Sequence, residues 1–200
     1  MSTIKTNQLA HTANGASVYT LPQTDGNAGQ VLKTDGSGNL SWVTPSLFSS
    51  YAIIGDQKAN NTHGGTFTSG AWQKRNLNAE LADPDGIVSI SNDQFTLAAG
   101  SYLVKAAAPA RRVGYHQVRL QNITDSTTVE YGTSENSYGT GNTNFYTTKS
   151  LLSARFTITG SKTFEIQHRC QTTTTDFGLG AANDFGNTQL YTLVEIYKES

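Results

Sequence analysis

Cysteine occurs once in the 200 residues, at Cys170. A single thiol excludes an internal disulfide framework and a cysteine-built zinc cage, and it suits folding in a reducing cytosol. Charge is scarce as well. Asp, Glu, Lys and Arg make up 14% of the chain, against about 25% in an average soluble protein, so Ser, Thr, Asn, Gln and Gly must cover the surface. The 14 basic and 15 acidic residues nearly cancel, which leaves no electrostatic footprint for nucleic acid or an anionic membrane. No apolar run approaches the roughly 18 residues of a membrane span. Met1 to Ala10 carries one Lys and no apolar stretch behind it, unlike a secretory signal. Long Ala/Glu/Lys/Leu stretches are missing, and no segment keeps a 3.6-residue period over three turns. Bundles, coiled coils and helix-rich α/β enzymes are therefore excluded.

What remains is a pattern of short alternating segments separated by Gly, Asn and Asp. From Ser49 onward the expected strands are Tyr51–Gly55, Gly70–Arg75, Ile87–Ser91, Gln94–Leu97, Ser101–Ala108, Val113–Asn122, Thr127–Gly132, Thr147–Thr159, Thr163–Gln171 and Thr188–Lys198. Spacings near ten residues predict an all-β sandwich or jelly roll. Leu152, Ala154, Phe156 and Ile158 alternate with Ser153, Arg155 and Thr157, and Phe164, Ile166, His168 and Cys170 alternate with Glu165, Gln167 and Arg169. Each such strand has one wet side. The last strand differs: Leu190, Val194 and Ile196 are assigned to one face, and Tyr191, Leu193 and Tyr197 to the other. A strand apolar on both faces needs cover on both, and a neighbouring subunit is the expected second cover.

Residues 1–48 have another texture. Short segments at Ser17 to Leu21, Gln30 to Lys33 and Leu40 to Val43 lie between the turn signals Asp25-Gly26 and Asp35-Gly36-Ser37-Gly38, with Thr44-Pro45-Ser46 as linker. Three strands of four or five residues bury too little to form a core. The segment is expected to dock on copies of itself or on a partner through Ile4, Leu9, Val18, Leu21, Val31 and Trp42.

The stretch Gly65-Thr-Phe-Thr-Ser-Gly-Ala-Trp72, then Asp85-Gly-Ile87, then Phe95-Thr-Leu-Ala-Ala-Gly100-Ser-Tyr102 resembles the jelly-roll head shared by complement-q recognition subunits and tumour necrosis factor. That resemblance covers Ser49 to Ser200 and implies a homotrimer with its final strand near the threefold axis. Ser2-Thr-Ile-Lys-Thr-Asn-Gln-Leu9 and Gly29-Gln-Val-Leu-Lys-Thr-Asp-Gly-Ser-Gly-Asn-Leu-Ser-Trp42 resemble amino-terminal attachment segments of tailed-bacteriophage structural proteins. Together the two resemblances imply a trimeric virion appendage: an attachment segment, 1–48, and a head, 49–200.

Chemistry-bearing residues are few. His168 and Cys170 share an apolar strand face, where burial competes with a Cys–His nucleophile and makes a thiol inert. His116 also falls on a strand. Asp83 and Asp85 flank Pro84 before Gly86, which fits an ordinary turn better than a calcium site. Lys74, Arg75, Arg111 and Arg112 suit an anionic sugar, with exposed turn charges as the plainer expectation. Two polar loops carry aromatics without a core reason: Tyr131 to Thr148, with Tyr138, Asn142, Phe145 and Tyr146, and Thr172 to Asn187, with Phe177 and Phe185. Rings cover the C–H face of a sugar while amides bond its hydroxyls.

The expected function is that of a non-enzymatic phage virion protein. It is a homotrimeric fibre or spike attached through its amino terminus to a tail or capsid protein, and it binds a host-surface glycan. The alternative is a capsid decoration, cement or head-fibre protein with no receptor role. A glycan-cleaving enzyme is disfavoured because no acid/base pair is evident. No cofactor, metal, nucleic acid or membrane insertion is expected.

Overall fold

The computed structural model describes residues 7–10, 18–138 and 146–200. The chain divides into two compact units, Met1–Leu47 and Phe48–Ser200.

The amino-terminal unit holds two antiparallel ladders, β1 (Gln8–Ala10) with β2 (Val18–Thr20), and β3 (Val31–Thr34) with β4 (Leu40–Val43). The β3–β4 turn follows from its residues. Asp35 accepts from the Ser37 and Asn39 N–H groups and from Asn39 Nδ2, which holds its carboxyl below the ordinary range. Gly36 and Gly38 take φ of 80° and 91° there, a region that favours glycine. Trp42 lays its ring on Gly26, where a Cβ would stand 2.5–2.9 Å from it, and donates through Nε1 to Thr24 O. Even so, none of the described residues through Leu47 is buried, and Leu9, Val18, Val31 and Leu32 stay exposed. Leu21 is half-buried. Ile4 lies outside the described residues.

The second unit is a two-layer sandwich. One sheet runs β14 (Thr147–Ile158), β10 (Gly100–Arg111), β16 (Gln189–Glu199), β5 (Phe48–Lys58), β7 (Ala79–Ala82). The other runs β12 (Thr127–Tyr131), β11 (Tyr115–Asn122), β15 (Lys162–Cys170), β9 (Gln94–Leu97), β8 (Val88–Ser91), with β6 (Gln73–Lys74) on β15 and β13 (Glu135–Asn136) on β11. The chain crosses repeatedly between the two sheets, staying within one only for β8–β9 and β11–β13, and every ladder of this unit is antiparallel, as in a jelly roll. The facing sides supply the core. Ala52, Ile54, Val104, Leu152, Val194 and Ile196 come from one sheet and Phe95, Leu97, Val118, Leu120, Phe164 and Ile166 from the other. Phe164 stacks between Phe95 and Phe156 at centroid distances of 5.6 and 5.2 Å.

Four departures from simple alternation have local causes. The strand expected from Val113 starts at Tyr115, because Arg112 and Gly114 adopt φ of 58° and 68° and interrupt the ladder. Of Gly70–Arg75 only Gln73–Lys74 pairs. Ala79–Ala82, with little β propensity, becomes a strand by pairing with β5. In β16 the register shifts between Leu190 and Leu193, where three residues of β16 span two of β5. This bulge reverses the expected faces: Leu190 is 46% exposed and Tyr191 only 7%. Tyr191 turns inward against Gly180 and donates its hydroxyl to Thr62 O. Val194 and Ile196 lie in the core as expected, while Leu193 and Tyr197 are half-buried on the outer face.

Candidate functional site

The two aromatic loops meet at one end of the sandwich. Thr174 pairs with Phe67, and Thr172 N–H donates to Val113 O. Ser137 N–H donates to Gly114 O, while the Ser137 hydroxyl accepts from Val113 N–H. These bonds bring Tyr138 beside Thr172–Thr175 and Phe177, and with Arg112 they line a cleft of about 460 Å³. Two guanidiniums flank the Phe177 ring, Arg111 at 5.9 Å and Arg112 at 5.7 Å from its centroid, and His63 meets it edge-on. Four threonines, an aromatic ring and a cation in one concave surface suit hydroxylated, anionic ligands. Tyr146 is exposed and does not line the cleft, although its N–H donates to Ser137 O. Phe185, 82% exposed, lies farther along the same loop as Phe177 and outside the cleft, where Asn60 bonds Asp184 and Gly186. Asn142 and Phe145 lie outside the described residues.

Beneath this end the core turns polar. Arg75, expected at an exposed turn, is buried. It donates through Nε to Thr192 Oγ1 (2.7 Å), through Nη2 to Leu179 O (3.1 Å) and through Nη1 to Pro109 O (3.3 Å). Burial lowers its pKa to about 10, opposed by Asp56, so it is charged at neutral pH. Burial raises the Asp56 carboxyl above its usual range, and Lys58 Nζ lies 3.3 Å away. His116 and His168 face each other with 3.0 Å between Nδ1 and Nε2, and His116 Nε2 contacts Thr148 Oγ1 at 2.7 Å. Burial first, then the Arg75 charge, lowers His116 to about 4 and His168 well below its ordinary value. His168 bonds His116 rather than Cys170, whose thiol donates to Thr172 O and is pushed up to about 11 by burial. The Cys–His pair considered from sequence is not assembled. Asp83 accepts from the Ile87 and Val88 N–H groups and so closes the turn, whereas Asp85 accepts from the Ser50 hydroxyl and ties the turn to β5. Among the described residues no three His, Cys, Asp or Glu side chains gather as metal ligands.

The neutral histidines make stability depend on pH. Unfolded histidine binds a proton near pH 6.5, whereas the folded pair resists it until about pH 4 or below. Between those limits the unfolded chain holds more protons, so stability falls as pH drops through that window. Asp56 acts oppositely at the acid end: its raised pKa makes the folded chain the stronger proton binder, so its contribution to stability rises as pH falls through that raised value toward 3.8. Calorimetry should show Tm falling steadily from pH 7 to 4.5. A flat Tm, or ring resonances of His116 and His168 that titrate above pH 6, would contradict the buried neutral pair.

The outer face of the β14-β10-β16-β5-β7 sheet carries apolar rows set by register. Leu151, Ala107, Leu193 and Gly55 lie directly across from one another, and Leu190 and Leu81 bring their Cδ1 atoms to within 2.8 and 3.6 Å of where a Gly55 Cβ would stand. Four residues along, Leu103, Tyr197 and Tyr51 form a second row, with Phe48 against Tyr197 at 5.0 Å. Tyr51, Leu81, Leu151 and Leu190 remain exposed in one chain.

No protein-family model and no curated protein sequence matches this chain. Among solved structures it is similar to the globular domain of the zebrafish complement 1qA protein, at 16% identity, 74% of this chain, 96% of that one and a TM-score of 0.44. It is also similar to Eiger TNF from S. frugiperda (11% identity, 78% and 94% coverage, TM-score 0.48) and to murine APRIL (8%, 74% and 98%, 0.46). At these identities the likeness concerns fold alone, and the strand order defines that fold directly.

Proposed function

We propose that this chain is a homotrimeric structural protein of a tailed-phage virion. It attaches to the particle through residues 1–48 and presents the jelly-roll head to a host-surface saccharide. The observation that carries this reading is the contrast between the two units. The head has its own core, whereas no described residue of the first unit is buried and its Leu9, Val18, Val31 and Leu32 are exposed. Such a segment is stabilised by what it docks on. The apolar rows outside β16 favour three copies joined through that sheet face. The cleft between Arg112, Tyr138 and Phe177 is the receptor candidate, because weak sites repeated on one trimer gain strength on a multivalent surface.

One experiment with two arms tests this. A chain beginning at Ser46 should fold and trimerise but be missing from assembled particles; normal incorporation would refute attachment by the first unit. Full-length protein with Tyr138→Ala and Phe177→Ala should keep its Tm within a few degrees while binding to host cells falls at least tenfold. Unchanged binding would leave a shell decoration without receptor role.

A further inference from the structure

A larger groove, of about 840 Å³, lies on the outer side of the second sheet. Its floor is built by cross-strand register: Gln117 faces Arg169 directly, and Tyr115 and Gln171 continue the same faces two residues along β11 and just past the end of β15. Trp72 stands on one side and Ser134 to Asn136 on the other. Most of these groups are already held in place. Arg119 stacks 4.5 Å from the Trp72 ring centroid while bonding Gln167, and Tyr131 packs on the same indole. Gln117 Nε2 donates to Gly132 O, and Gln171 Oε1 accepts from Tyr115 N–H. Arg169 is the exception: its side chain is exposed in the groove and, unlike its backbone in the β11–β15 ladder, makes no hydrogen bond, ion pair or ring contact with any described residue.

We infer that this groove is a second binding site, distinct from the Phe177 cleft, and that it takes a short carboxylated oligosaccharide. The exposed Arg169 guanidinium offers a planar fork that matches a carboxylate in bidentate fashion. The 66% exposed Tyr115 offers a ring face for the C–H side of a pyranose ring, and Trp72, held by Arg119 and Tyr131, walls one side. The side-chain amides of Gln117, Asn136 and Gln171 carry donors and acceptors together, as hydroxyl groups require. An acidic peptide fits less well. The floor strands β11 and β15 are interior to the sheet and paired on both sides, so no backbone edge is open for an added strand. The volume falls in the range of small-ligand sites, roughly 300–1,000 Å³.

The test is calorimetric titration of the full-length protein with trigalacturonic acid, with the neutral trisaccharide galactotriose and with hexaglutamate, at physiological salt. The uronic trisaccharide should bind, and galactotriose at least tenfold more weakly. Arg169→Gln should weaken uronate binding at least tenfold, Arg169→Lys less so, and Tyr115→Ala severalfold, all with unchanged Tm because both side chains are exposed. Phe177→Ala should leave it unaltered. Equal affinity for galactotriose, no loss in Arg169→Gln, or absent uronate binding would overturn the assignment. Hexaglutamate binding as tightly and with the same Arg169 dependence would also overturn it, since the groove would then be only a cationic patch. Loss in Tyr138→Ala with Phe177→Ala but not in Arg169→Gln would place the sugar in the other cleft, overturning this site while leaving the receptor reading intact.

Discussion

Leu193→Asp protein should sediment as a single 21.5 kDa chain, whereas the unaltered protein should sediment as a trimer at micromolar concentration. Leu193 sits at the centre of an apolar row, directly across from Ala107 on β10 and Gly55 on β5, with Leu151 next along. Its side chain is half-buried on the outer face, so the sandwich core loses nothing when it changes. A subunit interface over that row would instead bury one unpaired carboxylate per copy. The effective penalty for a buried, unpartnered ion is several kcal/mol, and a symmetric trimer incurs it three times. Circular dichroism and core-dependent Tm should therefore resemble those of an isolated head while the sedimentation coefficient drops. A Leu193→Asp trimer, or an unaltered protein that is monomeric at micromolar concentration, would refute association through this face. Leu190→Ser offers a milder comparison, because the β16 bulge leaves that residue on the surface beside Leu81.

Arg75→Met should lower stability by about 3–5 kcal/mol, since three acceptors in a largely buried site lose their donor and each such loss costs about 1–3 kcal/mol. Arg75 follows β6, which belongs to the second sheet through β15, and its own N–H donates to Ile166 O. Its guanidinium reaches the opposite sheet at Thr192 and Pro109 and the loop at Leu179. It therefore ties the two layers together where the hydrophobic core gives way to polar groups. Removing it leaves two carbonyls and a hydroxyl without their donor, and it strips Asp56 of a compensating charge. Asp56 is itself buried, with no hydrogen bond to either carboxylate oxygen among the described residues. For a chain of this size each kcal/mol is worth roughly 2–4 °C, so Tm should fall by about 10 °C. Arg75→Lys should recover part of the loss, since it keeps the charge and one of the three donations. A Tm within 2 °C of the unaltered protein in Arg75→Met would show that the tie contributes nothing. Restoration of Tm in the double variant Arg75→Met with Asp56→Asn, relative to Arg75→Met alone, would locate part of the cost in the Asp56 carboxylate, which then has only Lys58, 3.3 Å away, as a compensating charge.

Period-two alternation is a local property, and it made much of the head legible before folding was considered. Leu152 to Ile158 and Phe164 to Cys170 face inward at the positions that alternation assigns. The turn at Asp35-Gly36-Ser37-Gly38 likewise follows from side-chain acceptors and permissive glycines a few residues apart. Absence of helical periodicity, a lone thiol and low charge were enough to exclude whole classes. Wherever the outcome depended on a cross-strand neighbour, the sequence was silent or misleading. Tyr191 reads as an outward residue until the extra β16 residue opposite β5 turns it against Gly180. Ala79–Ala82 has no strand character of its own and gains it from the free edge of β5. Arg75 looks like a surface charge until the approach of β10, β16 and the Leu179 loop supplies three acceptors.

The candidate sites divide in the same way. That Tyr138 and Phe177 sit on polar loops is visible in the sequence. That they share a cleft with Arg112, while Tyr146 and Phe185 do not, is decided by the bonds from Ser137 to Gly114 and from Thr172 to Val113. The groove around Arg169 has no local signal at all, because Trp72, Tyr115, Asn136 and Arg169 come from four separate segments. Alternation fixes which way a side chain points, since neighbouring peptide units control it. Which side chains meet depends on strand register and bulges, and these come from pairing across the sheet and packing between the layers, contacts made between residues distant in the chain.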